Sequence, residues 1–248
     1  MSDPGDLRNE NNTFLQRVYA ATTATESQGL YDQWAAQYDK DLEGLDYAFP
    51  TLAAEALSQA LAKASPHSSS GGQLTGLRIA DAGCGTGLVG RELATKYGAD
   101  NVSGLDISSG MLEVARKTGC YAKLDVADLS KPLTIPDGSF DAVVCVGTLT
   151  RGHVGPDPVF NEFVRIVKQG GGVMVITVLD DIWESGGYKA EVERLKDDGS
   201  IEILRADVVG VRTTSNTPRV EEAVMDSPPK YGYIHQDLRD VYRVYIQG

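Results

Sequence analysis

The chain has 248 residues, 42% hydrophobic and 23% charged, with a formal net charge of −12. That length and apolar content suit one globular α/β domain with a full core. So acidic a chain lacks the clustered Lys and Arg that displace counterions from phosphate backbones, which argues against nucleic acid and for a small neutral or cationic partner.

The polar, acidic residues 1–10 carry no apolar run, so neither a signal peptide nor a transit sequence is expected, and residues 1–12 read as a disordered tail. No stretch has the length to span a bilayer. Cys84, Cys120 and Cys145 lie far apart, without the paired spacings of a metal site or disulfide framework. A reducing, cytoplasmic location and no metal are expected.

Helices follow along residues 13–65. Asn12 or Thr13 caps the first, through Phe14, Leu15, Val18 and Tyr19. A second is expected over 28–41, where Tyr31, Trp34 and Tyr38 recur at spacings of three and four and share one face. A third opens near Pro50 and carries Leu52, Ala53, Ala56, Leu57, Ala60 and Leu61. Residues 66–76 shift to Ser, Gly and Pro-rich composition and read as a linker.

From 77 to 179 strands alternate with helices: apolar strands at 77–82, 101–105, 121–126, 140–146 and 173–179, with helices between them. This predicts an α/β Rossmann-like fold, with a doubly wound, mostly parallel sheet covered on both faces. Residues 188–196 read as a helix, and 201–211 with 241–246 as an antiparallel pair at the sheet edge, giving seven strands with the last antiparallel. Residues 212–236, including Pro228 and Pro229, are polar and favour extended chain, a candidate cover for an acceptor pocket.

The first strand runs into glycines and then a helix, where backbone can approach a ligand and helix N–H groups face it. Two ligands compete. Read from Gly85, the segment Gly85-Thr86-Gly87-Leu88-Val89-Gly90 has the G-x-G-x-x-G spacing of a dinucleotide site, with Asp106 about twenty residues on. Read from Asp81, a carboxylate precedes three alternate glycines, Gly83, Gly85 and Gly87. A carboxylate there repels a pyrophosphate and welcomes an ammonium.

The Asp-x-Gly-x-Gly-x-Gly pattern resembles the first motif of class I S-adenosylmethionine-dependent methyltransferases. Likeness continues in Gly104-Leu105-Asp106-Ile107-Ser108, Pro136-Asp137-Gly138-Ser139-Phe140-Asp141 and Val167-Lys168-Gln169-Gly170-Gly171-Gly172, where the family more often has Pro at the place of Gln169. The helix Tyr-Asp-Gln-Trp-Ala-Ala-Gln-Tyr-Asp at 31–39 is similar to that of stand-alone members related to the Williams-Beuren-region methyltransferase-like proteins.

The resemblance implies S-adenosylmethionine as cofactor, held by Tyr31, Tyr38, Asp81, Gly83, Cys84, Gly85, Gly87, Asp106, Ile107, Met111, Asp128, Leu129 and Val146. In it Asp106 holds the ribose, Ile107 flanks the adenine, Asp128 (or its neighbour Asp125) meets the adenine amine, and the N-terminal helices form a lid. At the carboxyl ends of the fourth and fifth strands, His153 is a candidate general base, and Arg151, Asp180 and Trp183, with Trp34, are candidate acceptor contacts. Methyl transfer to a small-molecule O, N or S nucleophile is the expected function. A protein that binds the cofactor without methyl transfer, or a NAD-dependent oxidoreductase, is the alternative.

Overall fold

The computed structural model describes residues 13–43, 47–64, 73–210 and 240–247. The expected tail and the segment 212–236 lie outside the described residues. Four helices open the chain: α1 (Thr13–Ala20), α2 (Ala24–Trp34), α3 (Tyr38–Glu43) and α4 (Phe49–Ala64). Strand and helix then alternate through β1 (Ile79–Ala82), α5 (Leu88–Tyr97), β2 (Val102–Asp106), α6 (Ser109–Lys117), β3 (Lys123–Val126), β4 (Ala142–Leu149), α7 (Pro156–Ile166) and β5 (Val173–Leu179). The chain continues with α8 (Asp180–Trp183), α9 (Tyr188–Asp197), β6 (Glu202–Gly210) and β7 (Asp240–Gln247).

The sheet has the order β3-β2-β1-β4-β5-β7-β6. Its first five strands are parallel, which makes the α/β Rossmann-like core. β7 pairs antiparallel with β5 and with β6, so the last strand enters between them and β6 takes the edge. Side chains alternate across the central strands. Ala142, Val144, Val173 and Val175 pack toward α4 on one face, while Val143, Cys145, Met174 and Ile176 pack toward α7 and α9 on the other. With both faces covered, the strands read as nearly unbroken apolar runs. Among the described residues, no helix is long and apolar enough to cross a membrane.

Two boundaries differ from expectation. The single helix expected over 28–41 is divided: α2 ends at Trp34 and α3 begins at Tyr38. In a straight helix, residues seven apart are separated by about 10 Å along the axis. The break brings the rings of Tyr31 and Tyr38 to 6.4 Å and those of Trp34 and Tyr38 to 4.7 Å, and periodicity cannot register such a turn. The expected linker also ends early. Leu74 is 1% exposed in the core and donates its N–H to the Tyr97 carbonyl at 2.8 Å.

Strand order reverses between β1 and β4, the place where open α/β sheets form a crevice at their carboxyl ends. β1 ends there in the glycine turn, and β2 ends in Asp106. β4 changes register between Cys145 and Leu149, where Gly147 adopts φ 70° and donates its N–H to Thr177 Oγ1 at 2.9 Å.

Candidate active site

One cavity of about 770 Å³, counted out to its mouth, occupies this crevice. Its floor comes from the strand ends: Gly83 and Gly85 after β1, Asp106 at the end of β2 with Ile107 next to it, and Val146, Gly147 and Thr148 within β4. Met111 and the segment Ala127, Asp128, Leu129 and Ser130 form one side. Ala24, Ser27, Tyr31 and Tyr38 cover it from α2 and α3, and His153 with Val154 closes the far end.

Backbone conformation makes the floor. Gly83, Gly85 and Gly87 carry φ of 74°, 53° and 95°, a region L side chains rarely adopt. A Cβ on Gly83 would lie 2.0 Å from Thr148 Oγ1, whereas one on Gly85 would meet nothing within 4 Å. The turn is thus pressed against β4 at Gly83 and open in front of Gly85.

Asp106 is 9% exposed, with its carboxylate fixed by the turn around it. Oδ2 accepts the Gly85 N–H at 2.8 Å and Oδ1 accepts the Ser108 N–H at 2.9 Å. Burial raises its pKa, and the N–H bonds from Ser108 and Gly85 oppose the rise. Each oxygen retains a lone pair for a further donor. Asp128 is more engaged: Oδ1 accepts from the Ser130 N–H at 3.0 Å and hydroxyl at 2.6 Å, and Oδ2 faces Lys131 Nζ at 2.7 Å.

At the covered end, His153 Nδ1 lies 2.8 Å from the Arg151 carbonyl and 2.7 Å from Thr150 Oγ1. A carbonyl only accepts, which assigns the proton to Nδ1 and leaves the Nε2 lone pair for the Tyr31 hydroxyl at 3.1 Å. Burial lowers the His153 pKa and raises that of Tyr31, so the pair rests neutral.

Several candidate residues stand outside this wall. Asp81 is 1% exposed beneath the turn, where Oδ2 accepts the Tyr121 hydroxyl at 2.7 Å and Oδ1 has no hydrogen-bond partner among the described residues. Cys84 is buried, and burial pushes its thiol up, away from nucleophile chemistry. Trp34 fills the small core of the helical cover and donates Nε1–H to Asp41 Oδ2 at 2.7 Å. Arg151 pairs with Asp181 at the surface; Asp180 is exposed, and Trp183 packs beside the α7–α9 face. Gly87 caps α5 without lining the cavity.

Sequence reasoning passed over Ala24, Ser27, Gly147, Thr148 and Val154, which line the cavity. A signal existed for Gly147 and Thr148: a glycine interrupts the apolar run of the fourth strand at its carboxyl end. Tyr121 was passed over too, and it packs against two of the glycines. A Cβ on Gly90 would lie 2.4 Å from the Tyr121 ring, and one on Gly104 3.0 Å from it. Gly90 is bare to seat an aromatic ring, so the third glycine of the G-x-G-x-x-G spacing serves packing inside this domain.

Residues 79–171 match the methyltransferase-domain family model. Methyltransferase-like protein 27 of Homo sapiens is 38% identical over 180 residues, covering 71% of this chain and 69% of that protein. The ubiquinone biosynthesis O-methyltransferase of Dechloromonas aromatica is 39% identical over 113 residues, 42% of this chain and 46% of that enzyme. In fold, the TehB-like SAM-dependent methyltransferase of Corynebacterium glutamicum superposes with a TM-score of 0.56 at 20% identity, over 88% of this chain and 98% of that one. The [4+2]-cyclase SpnF superposes at 0.52 and 24% identity over 76% of each chain. With a relative this similar over more than two thirds of both chains, on a fold whose cavity opens where strand order reverses, the chain belongs to the class I S-adenosylmethionine-dependent methyltransferases.

Proposed function

We propose that this methyltransferase acts on a small-molecule oxygen, nitrogen or sulfur nucleophile within the cavity, and that Asp106 holds the ribose of S-adenosylmethionine. The carrying observation is the Asp106 carboxylate, fixed by two backbone N–H groups at the end of β2 with a lone pair left on each oxygen. Two vicinal hydroxyls match two such acceptors. The open space before Gly85 suits a ligand against bare backbone, and Ile107, Met111 and Leu129 offer an apolar wall for an adenine with Asp128 at its edge. Tyr31 and Tyr38 present aromatic rings to a sulfonium.

Bound S-adenosylmethionine supplies an electrophilic methyl, so the protein's own work is to hold an acceptor in line and exclude water. α2 and α3 are the cover in this reading, residues 13–43 the helical lid, and α4 with 73–210 and 240–247 the cofactor-binding core, completed by the antiparallel β7 and β6. His153 acts through Tyr31. An acceptor hydroxyl gives its proton to the Tyr31 oxygen as the Tyr31 proton passes to His153 Nε2, and a free amine or thiolate needs no such relay. The relative from Dechloromonas aromatica is named as an O-methyltransferase of ubiquinone biosynthesis, and the net charge of −12 disfavours polyanions; both support a small acceptor.

Incubation with methyl-labelled cofactor and cell extracts fractionated by size tests this. Label is expected in the small-molecule fraction and absent with Asp106→Ala. Label only in protein or RNA overturns the acceptor class, and undiminished cofactor binding by Asp106→Ala overturns the ribose assignment.

A further inference from the structure

The cover is fastened by a doublet that occurs twice. Tyr31-Asp32 and Tyr38-Asp39 are seven residues apart, and in each the tyrosine lines the cavity. The aspartates turn the other way. Asp32 Oδ1 accepts the Ser108 hydroxyl at 2.6 Å and the Gly110 N–H at 2.9 Å. Asp39 Oδ1 accepts the Thr86 hydroxyl, and its Oδ2 lies 3.6 Å from Arg91 Nη2. Neither aspartate lines the cavity.

Their landing points are the same two peptide segments that orient Asp106. Ser108, gripped by Asp32 through its hydroxyl, donates its N–H to Asp106 Oδ1. Thr86, gripped by Asp39, directly follows Gly85, whose N–H goes to Asp106 Oδ2. The Ser108 hydroxyl also accepts the Met111 N–H at 3.0 Å, so Asp32 reaches the first turn of α6 as well. The backbone of Gly110 leaves little slack, since a Cβ there would be 3.0 Å from Asp32 Cα.

We infer that Asp32 and Asp39 are positioning residues that join closure of the cover over the cavity to the orientation of Asp106, so that filling the Asp106 site and fastening the cover occur as one event. This rests on Asp106 being the ribose-holding group. If both turns move when a ligand engages Asp106, both fasteners move with them. A lost fastener then weakens ligand binding without removing any group that touches the ligand.

The test uses the full chain and S-adenosylhomocysteine as the ligand, followed by calorimetry, stopped-flow release and amide hydrogen exchange. Asp32→Ala, which loses two hydrogen bonds, and Asp39→Ala, which loses one and the Arg91 pair, are each expected to bind at least about tenfold more weakly through faster release. Asp32→Asn and Asp39→Asn keep a carbonyl oxygen for the same donors and are expected near wild type. Thr86→Val removes the Asp39 partner from the core side and serves if an alanine variant fails to fold. Ligand is expected to slow exchange of amides 24–43 in the wild type and not in the Asp32→Ala/Asp39→Ala double variant. Alanine variants with wild-type affinity, release and ligand-induced protection overturn the coupling while Asp106→Ala still loses binding. If Asp106→Ala binds normally, the ribose reading itself fails.

Discussion

Asp81 is 1% exposed with one carboxylate oxygen unpartnered among the described residues, and burial pushes its pKa from 3.8 up to about 7 against the opposing Tyr121 hydrogen bond. The folded state therefore keeps a proton that the unfolded chain releases near pH 4. Stability from this group is full below that pH and is lost as pH rises toward 7. Asp81→Asn keeps an acceptor for Tyr121 and carries no charge. It is expected to exceed the wild type in stability by about 2–4 kcal/mol at pH 8 and by little at pH 3, measured by urea unfolding. A difference independent of pH counts against the buried-acid account. Gly90→Ala, with its methyl driven into the Tyr121 ring, is expected to cost about 1–3 kcal/mol. Tyr121→Ala in the same chain removes that penalty, because the two positions share one space.

The helical cover has its own core. Val18, Ala21, Leu30 and Trp34 are buried together, separate from the two clusters that flank the sheet. Trp34 is 1% exposed, stacks on Phe14 at 6.0 Å and meets Tyr38 at 4.7 Å. Trp34→Ala empties the centre of so small a cluster, a loss of about 3–5 kcal/mol. Local opening is the expected result: limited proteolysis within 13–43 and rapid exchange there, with β1, β4 and β5 still protected. Uniform destabilisation of the whole sheet would show that the cover is no independent unit. The same element separates proton relay from binding. Tyr31→Phe breaks the hydrogen bond to His153 Nε2, so for a hydroxyl acceptor kcat is expected to fall about 10²-fold or more with S-adenosylhomocysteine affinity changed little.

For the molecule as a whole, the measurable consequence of family membership is ligand-linked stability. S-adenosylhomocysteine at about a hundred times its Kd contributes about 2.7 kcal/mol, which raises Tm by about 5–10 °C in a chain of this size. NAD is expected to leave Tm unchanged, since the chain belongs to the S-adenosylmethionine-dependent methyltransferases. An equal shift with NAD would reopen the dinucleotide reading.

The sequence by itself determined the parallel α/β core and the cofactor class, because both are written locally. Apolar runs mark strands covered on both faces, and left-handed backbone at residues 83, 85 and 87 favours glycine. Only the tertiary structure decided which candidate side chains share a wall. Asp81 and Trp34 carry the right chemistry but are turned into packing, Arg151 is paired with Asp181 at the surface, and Ser27 reaches the cavity from a segment far in the chain from Thr148 and Val154. Residue type and spacing record what a segment needs of its own backbone. Which way a side chain turns depends on neighbours brought in by the fold, and in this protein the covered end of the cavity is built almost wholly from such neighbours.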